Sequence, residues 1–243
     1  MHALWIYYNS TNIIRQTERN TFGFFFIISL LSNSLLQNLT LAQVDKLIYP
    51  PGSKPYGFSY GDWSAKWWQW KFATEKDSPV KDLTGEKCAN GQSGPVWILA
   101  GTAGGNVERK CEIPQGKAIL FPVLNGDCDV ITNPTFKTEE DLKKCAWAWH
   151  HISVDASIDG QKIPDLDKYF VYSPMYNFTP AENNDLSLPP GTKDQAISAG
   201  YYIMLKPLPV GEHEIHFRGA NTDFTVSNAV NFFTEAKYKL TVK

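Results

Sequence analysis

Few residues in this chain have the types and spacing that chemistry needs. His150 and His151 lie beyond a segment that carries Asp127 and Asp129 on either side of Cys128. Those imidazoles and carboxylates are the one cluster that could gather metal ligands or an acid–base pair. The competing reading is a cation at a helix C-terminus facing nearby carboxylates. His213-Glu214-Ile215-His216 brings its second His one residue too early for the H-E-x-x-H zinc pattern, and on a strand the two imidazoles point to opposite faces. Gly91-Gln92-Ser93-Gly94-Pro95 lacks the G-x-S-x-G spacing of a nucleophile elbow, and no His lies between Val44 and Ser93. Gly101-Thr102-Ala103-Gly104-Gly105-Asn106 has no Lys to complete a phosphate loop and reads as a flexible hairpin connection. No catalytic residue, metal set or cofactor motif is assigned on these grounds.

Tryptophan is the other unusual resource, with eight in the chain. Aromatic platforms stack sugar rings or partner chains. Trp63, Trp67 and Trp70 recur at i, i+4 and i+7, and Trp68 with Phe72 adds a neighbouring stripe, so residues 63–72 read as a helix behind an Asp62 cap. The main stripe is read as buried against a sheet. Trp68 and Trp147 fall off the buried stripes and are the expected exposed pair, available to carbohydrate or protein.

The elements that must hold these residues are mostly strands. A second helix is expected over residues 138–149, opened by Thr138 and Asp141 and turning Leu142, Cys145, Ala146 and Trp149 to one face. Apolar runs at 95–100 and 118–123 read as buried strands. Alternation at Ile152, Val154, Ala156 and Ile158 ends in an Asp159-Gly160 hairpin turn. Strands continue at 169–172, 201–205, 212–217 and 238–242, with a long loop at 183–192. This pattern predicts a mostly-β, β-sandwich or jelly-roll-like single domain with two short helices. Residues 43–60, rich in Pro and Gly, form an extended lead-in, and 61–243 the domain.

The four cysteines, Cys88, Cys111, Cys128 and Cys145, allow three pairings. Cys88–Cys111 and Cys128–Cys145 are favoured because each encloses a compact local unit. A metal reading is weak because no C-x-x-C spacing exists.

The segments Tyr60-Gly61-Asp62-Trp63-Ser64-Ala65-Lys66-Trp67-Trp68-Gln69-Trp70, Gly91-Gln92-Ser93-Gly94-Pro95-Val96-Trp97 and Ile113-Pro114-Gln115-Gly116-Lys117-Ala118-Ile119-Leu120-Phe121-Pro122 resemble a family of uncharacterised exported prokaryotic proteins. So does Leu205-Lys206-Pro207-Leu208-Pro209. The resemblance covers roughly residues 58–243; it implies export and a β fold and brings no activity.

Export is also read from the N-terminus. Arg15 and Arg19 precede an uncharged apolar run at 22–31, and Thr40-Leu41-Ala42 offers small residues at the cleavage positions, so residues 1–42 are expected to be a signal peptide. A membrane anchor is the alternative, but Ser32-Asn33-Ser34 and Gln37-Asn38 interrupt the run. Residues 1–14, long and aromatic, are unlike an n-region and place the expected start codon downstream. Removing the signal shifts the formal charge from −2 to −3. That evenly mixed surface excludes nucleic acid as a partner. Asn177-Phe178-Thr179 is an N-glycosylation sequon, with Pro180 following to lower its use. The sequence therefore predicts a secreted or cell-surface, non-catalytic binding or structural module without a cofactor. The alternative is a hydrolase or lyase on a cell-surface polysaccharide, working through carboxylates beside Trp subsites.

Overall fold

The computed structural model describes residues 44–74, 78–150, 152–182, 184, 186–189, 191–221 and 232–243. The expected signal segment and His151 lie outside the described residues, as does part of the 183–192 loop. The described chain forms two β-sheets and two principal helices. The helices are α1 (Tyr60–Ala73) and α2 (Glu139–Ala146). The strands are β1 (Val96–Ile98), β2 (Gly105–Ile113), β3 (Ala118–Asp129), β4 (Ile152–Ile158) and β5 (Gln161–Lys162), then β6 (Phe170–Tyr172), β7 (Tyr176–Phe178), β8 (Asp194–Leu205), β9 (Gly211–Asn221) and β10 (Phe232–Val242). One sheet runs β1-β3-β8-β6, with β7 also on β8; the other runs β2-β10-β9-β4-β5. They face each other through Phe121 of β3 and Phe217 of β9, stacked with ring centroids 5.0 Å apart. The mostly-β sandwich expected from the strand spacing is the observed fold.

α1 starts earlier than the sequence implied. Ser59, in extended backbone, is the N-cap, and its hydroxyl accepts the Asp62 N–H while the Asp62 carboxylate accepts the Ser59 N–H. Asp62 is thus the far half of a capping box rather than the cap itself. Trp63, Trp67 and Trp70 are buried as expected. Each indole N–H donates to a loop carbonyl, of Pro55, Leu99 and Asn90 respectively. A buried indole needs such a partner, so the aromatic face of α1 also pins three connections. The helix lies on the β8 face of the first sheet, where Ser64 and Ser198 hydroxyls meet at 2.6 Å and Phe72 stacks on Phe178 at 4.1 Å.

Residues 44–60 are not simply an extended lead-in. Val44 and Ile48 are buried in the main core, Ile48 bridges to Leu205, and Pro55–Gly57 is a 3₁₀ turn.

The stretch read as a hairpin at Gly101–Gly105 is a crossover instead. β1 pairs parallel with β3 in one sheet, and β2 pairs parallel with β10 in the other. β2 escaped the sequence reading because its inward positions are Val107, Arg109, Cys111 and Ile113. An inward Arg breaks the apolar alternation. Arg109 is 1% exposed and donates to the carbonyls of Val80, Asp82, Ala100 and Gly101 and to the Tyr238 hydroxyl. A buried guanidinium is tolerated when its donors are satisfied, and here it clasps two loops to the second sheet.

Both expected disulfides are formed. Cys88–Cys111 joins the loop before β1 to β2, and Cys128–Cys145 joins the end of β3 to α2. Asp159 and Gly160 both take positive φ between β4 and β5, the backbone of the anticipated tight hairpin. α2 is opened by the Thr138–Asp141 capping box and passes into a 3₁₀ turn at Trp147–Trp149, which subdivides the helix expected over 138–149.

Candidate functional site

β1 pairs with only the first three residues of β3, so from Phe121 onward that edge of β3 has no strand neighbour among the described residues. A cavity of about 300 Å³ opens there. α1 supplies one wall through Trp67, Trp68, Lys71 and Phe72. The edge of β3 from Pro122 to Asp127 supplies the floor, and Trp149, Phe232 and the 101–103 loop the far side. The dimension and the mainly apolar lining, with five aromatic side chains and a few polar groups, are those of a small-ligand pocket.

Gly126 makes the far wall possible. Trp149 lies so close over it that an added Cβ would fall 1.8 Å from the indole. A bulge between Pro122 and Leu124 in the β3–β8 pairing resets the alternation just before this point. As a result Asp127 and Asp129 turn toward α1, while Cys128 turns toward Leu142 and Ala146 of α2.

The carboxylates differ in their surroundings. Asp127 keeps partial solvent contact through the cavity, yet its carboxyl lies deep in protein, and burial pushes it up to about 7 against the opposing pull of the Lys71 charge. Asp129, 6% exposed, accepts hydrogen bonds from the Thr132 N–H at 2.7 Å and from the Thr132 hydroxyl. It also bonds to Asp194 of β8, whose carboxyl is raised to about 6 by burial and by that contact. A neighbouring carboxyl at hydrogen-bond distance disfavours ionisation of Asp194. Tyr176 faces the same cluster: Tyr176, Ala196 and Asp129 stand in one register row across β7, β8 and β3. Its hydroxyl is buried without a hydrogen-bond partner, and burial, with Asp127 next in weight, raises it well above its ordinary value.

Of the expected His–Asp cluster, His151 lies outside the described residues and His150 is not brought to the two aspartates. Asp127 and Asp129 face α1, whereas His150 caps the 3₁₀ turn after α2, and its ring stacks on Trp147 at 3.9 Å and 13°. Adjacent positions on one strand point to opposite faces, so the Cys128–Cys145 bridge that brings α2 to β3 places the two aspartates on the other side. Among the described residues no group of three His, Cys, Asp or Glu side chains could hold a metal ion. His213 bonds Asp159 and the Pro209 carbonyl while His216 bonds Glu235, so these two imidazoles serve separate partners as strand alternation required.

Trp147 is exposed, at 43%, and heads a parallel stack with Tyr172 and His150. Trp68 is a half-buried pocket wall rather than a surface platform. Asn177 lies in β7 with its side chain exposed and its amide oxygen accepting from Gln195. The residues that sequence reasoning missed are Trp149, Lys71 and Tyr176. Trp149 had been placed on the buried face of the second helix, and only the close approach over Gly126 marks it as a pocket wall.

No family model matches the chain, and no curated protein matches it. Among solved structures, a cysteine protease inhibitor from Entamoeba histolytica aligns at 13% identity with a TM-score of 0.23, over 60% of this chain and 94% of that one. Amebosin aligns at 14% identity with a TM-score of 0.21, over 62% and 100%. Overlaps this small bring no function to the chain.

Proposed function

We propose that the protein is an exported, non-catalytic binding module that takes a small ligand into the pocket at the free edge of β3, and that it groups with the exported prokaryotic proteins its motifs resemble. The observation that carries this reading is the pocket itself, a mainly apolar enclosure lined by five aromatic side chains, with Lys71, Asp127 and Asp129 as its ionisable groups. The two disulfides support an oxidising compartment.

A hydrolase or lyase acting on a cell-surface polysaccharide is the second reading. It is favoured by a carboxyl raised to about 7 with another, Asp129, two residues along the same strand. Side chains at that spacing stand about 7 Å apart at the backbone, near the separation of inverting glycosidases. Against it, Asp129 is already engaged by Thr132 and Asp194, which leaves Asp127 without a free second carboxylate.

A fragment screen read by ligand-observed NMR separates these readings. Ala103, at the exposed rim, is the blocking position: Ala103→Trp should abolish binding of the fragments that the wild type takes up. Fragments that bind the blocked variant equally well would refute the pocket. Release of reducing ends from cell-wall polysaccharide, lost in Asp127→Asn, would establish the enzyme instead.

A further inference from the structure

Resting on the pocket reading above, we propose that the ligand is a small organic cation, a quaternary or protonated ammonium whose head sits among the aromatic walls beside Asp127. The ring geometry is the first ground. Trp67 and Trp68 meet at 5.1 Å and 80°, and Trp149 and Phe232 meet at 5.6 Å and 82°. Two rings at right angles present a face and an edge to one space, and two such pairs on opposite sides of a cavity form a box. Ring faces carry the negative lobe of the quadrupole and attract cations most strongly where water is excluded.

The second ground is that these rings already accept an ammonium from the chain. Lys71 Nζ lies 4.3 Å from the centre of Phe72 and 5.7 Å from that of Trp68. The third is the unpartnered Tyr176 hydroxyl. The residue is 94% buried by area, being 6% exposed, and its hydroxyl lies beside Asp127, Asp129 and Asp194, where the Asp129 and Asp194 carboxyls act on Asp127 against the single Lys71 charge. Carbon walls on most sides favour a large, weakly hydrated cation over a metal ion, which demands several oxygen ligands.

The test compares charge at constant shape. Choline and its carbon isostere 3,3-dimethylbutan-1-ol differ only in nitrogen for carbon at the head; tetramethylammonium and benzyltrimethylammonium vary the tail, and indole serves as a neutral aromatic. Calorimetry on the purified protein at pH 8.5, where Asp127 is ionised, should show at least one of the three cations binding, choline at least tenfold tighter than its isostere. Asp127→Asn, which keeps shape and removes charge, should lower that ratio at least threefold, the rings retaining the remainder, with a circular-dichroism spectrum like the wild type showing that the variant is folded. Ala103→Trp should abolish binding without touching the carboxylate. Equal affinity for choline and its isostere, or a ratio unchanged by Asp127→Asn, overturns the proposal of a cation beside Asp127. If none of the cations binds at 10 mM but indole does, and Ala103→Trp blocks it, the cation is overturned and the pocket stands. If neither cations nor indole bind, both readings fall.

Discussion

Asp127 should shape the pH dependence of stability in a direction opposite to that of most ion-paired acids, and Asp127→Asn should remove that contribution. The carboxyl has an ordinary value of 3.8 and is held at about 7 in the folded chain. Below about pH 4 the folded and unfolded states both carry the proton. Between about 4 and 7 the unfolded chain releases it and the folded chain keeps it, so stability falls as pH rises, by about 1.4 kcal/mol per pH unit. Above about 7 both are ionised and the slope from this group ends. The full difference is at most about 4 kcal/mol, and solvent entering through the cavity reduces it, so a gain of ~1–4 kcal/mol for Asp127→Asn at pH 8 is expected. Asp194, raised to about 6, adds loss in the same direction in both proteins. Urea unfolding of wild type and variant from pH 4 to 8 measures this directly. Curves that differ by the same amount at every pH would refute the argument, since they would show that Asp127 ionises alike in both states.

Three further outcomes follow from the fold. Arg109→Met keeps the side chain's length but removes the guanidinium donor from the carbonyls of Val80, Asp82 and Gly101, the Tyr238 hydroxyl and the Ala100 carbonyl keeping each other, and should cost about 3–5 kcal/mol by chemical denaturation; a loss under 1 kcal/mol would mean water takes over those bonds. Reduction should lower the melting temperature substantially, each bridge contributing roughly 3 kcal/mol across its separation of 23 or 17 residues, and non-reducing peptide mapping should recover Cys88 with Cys111 and Cys128 with Cys145. Exported material should begin near Gln43, and Edman sequencing that finds residues 1–40 retained would restore the membrane anchor.

The sandwich was legible because its strands follow the period-two rule and its turns carry Gly, Pro and Asp-Gly. β2 was not, because Arg109 occupies an inward position that only the carbonyls of two distant loops make tolerable. The pocket was half legible. Asp127 and Asp129 stood out as carboxylates and Trp68 as an aromatic off the buried stripe. Their assembly depends on the β3 bulge, which reverses which residues face α1, and on β1 ending at Ile98; neither has a local sequence signal strong enough to read. The link to His150 failed for the same reason, since a disulfide at Cys128 says nothing of the faces on which Asp127 and Asp129 emerge.

Indole N–H resonances of the ¹⁵N-tryptophan-labelled protein test the binding site most directly. On titration with a fragment bound in the screen, the Trp68 and Trp149 signals should move, while those of Trp63 and Trp97, buried away from the cavity, should hold still. Movement confined to Trp147, on the exposed stack, or no movement at any indole would contradict a ligand site at the free edge of β3.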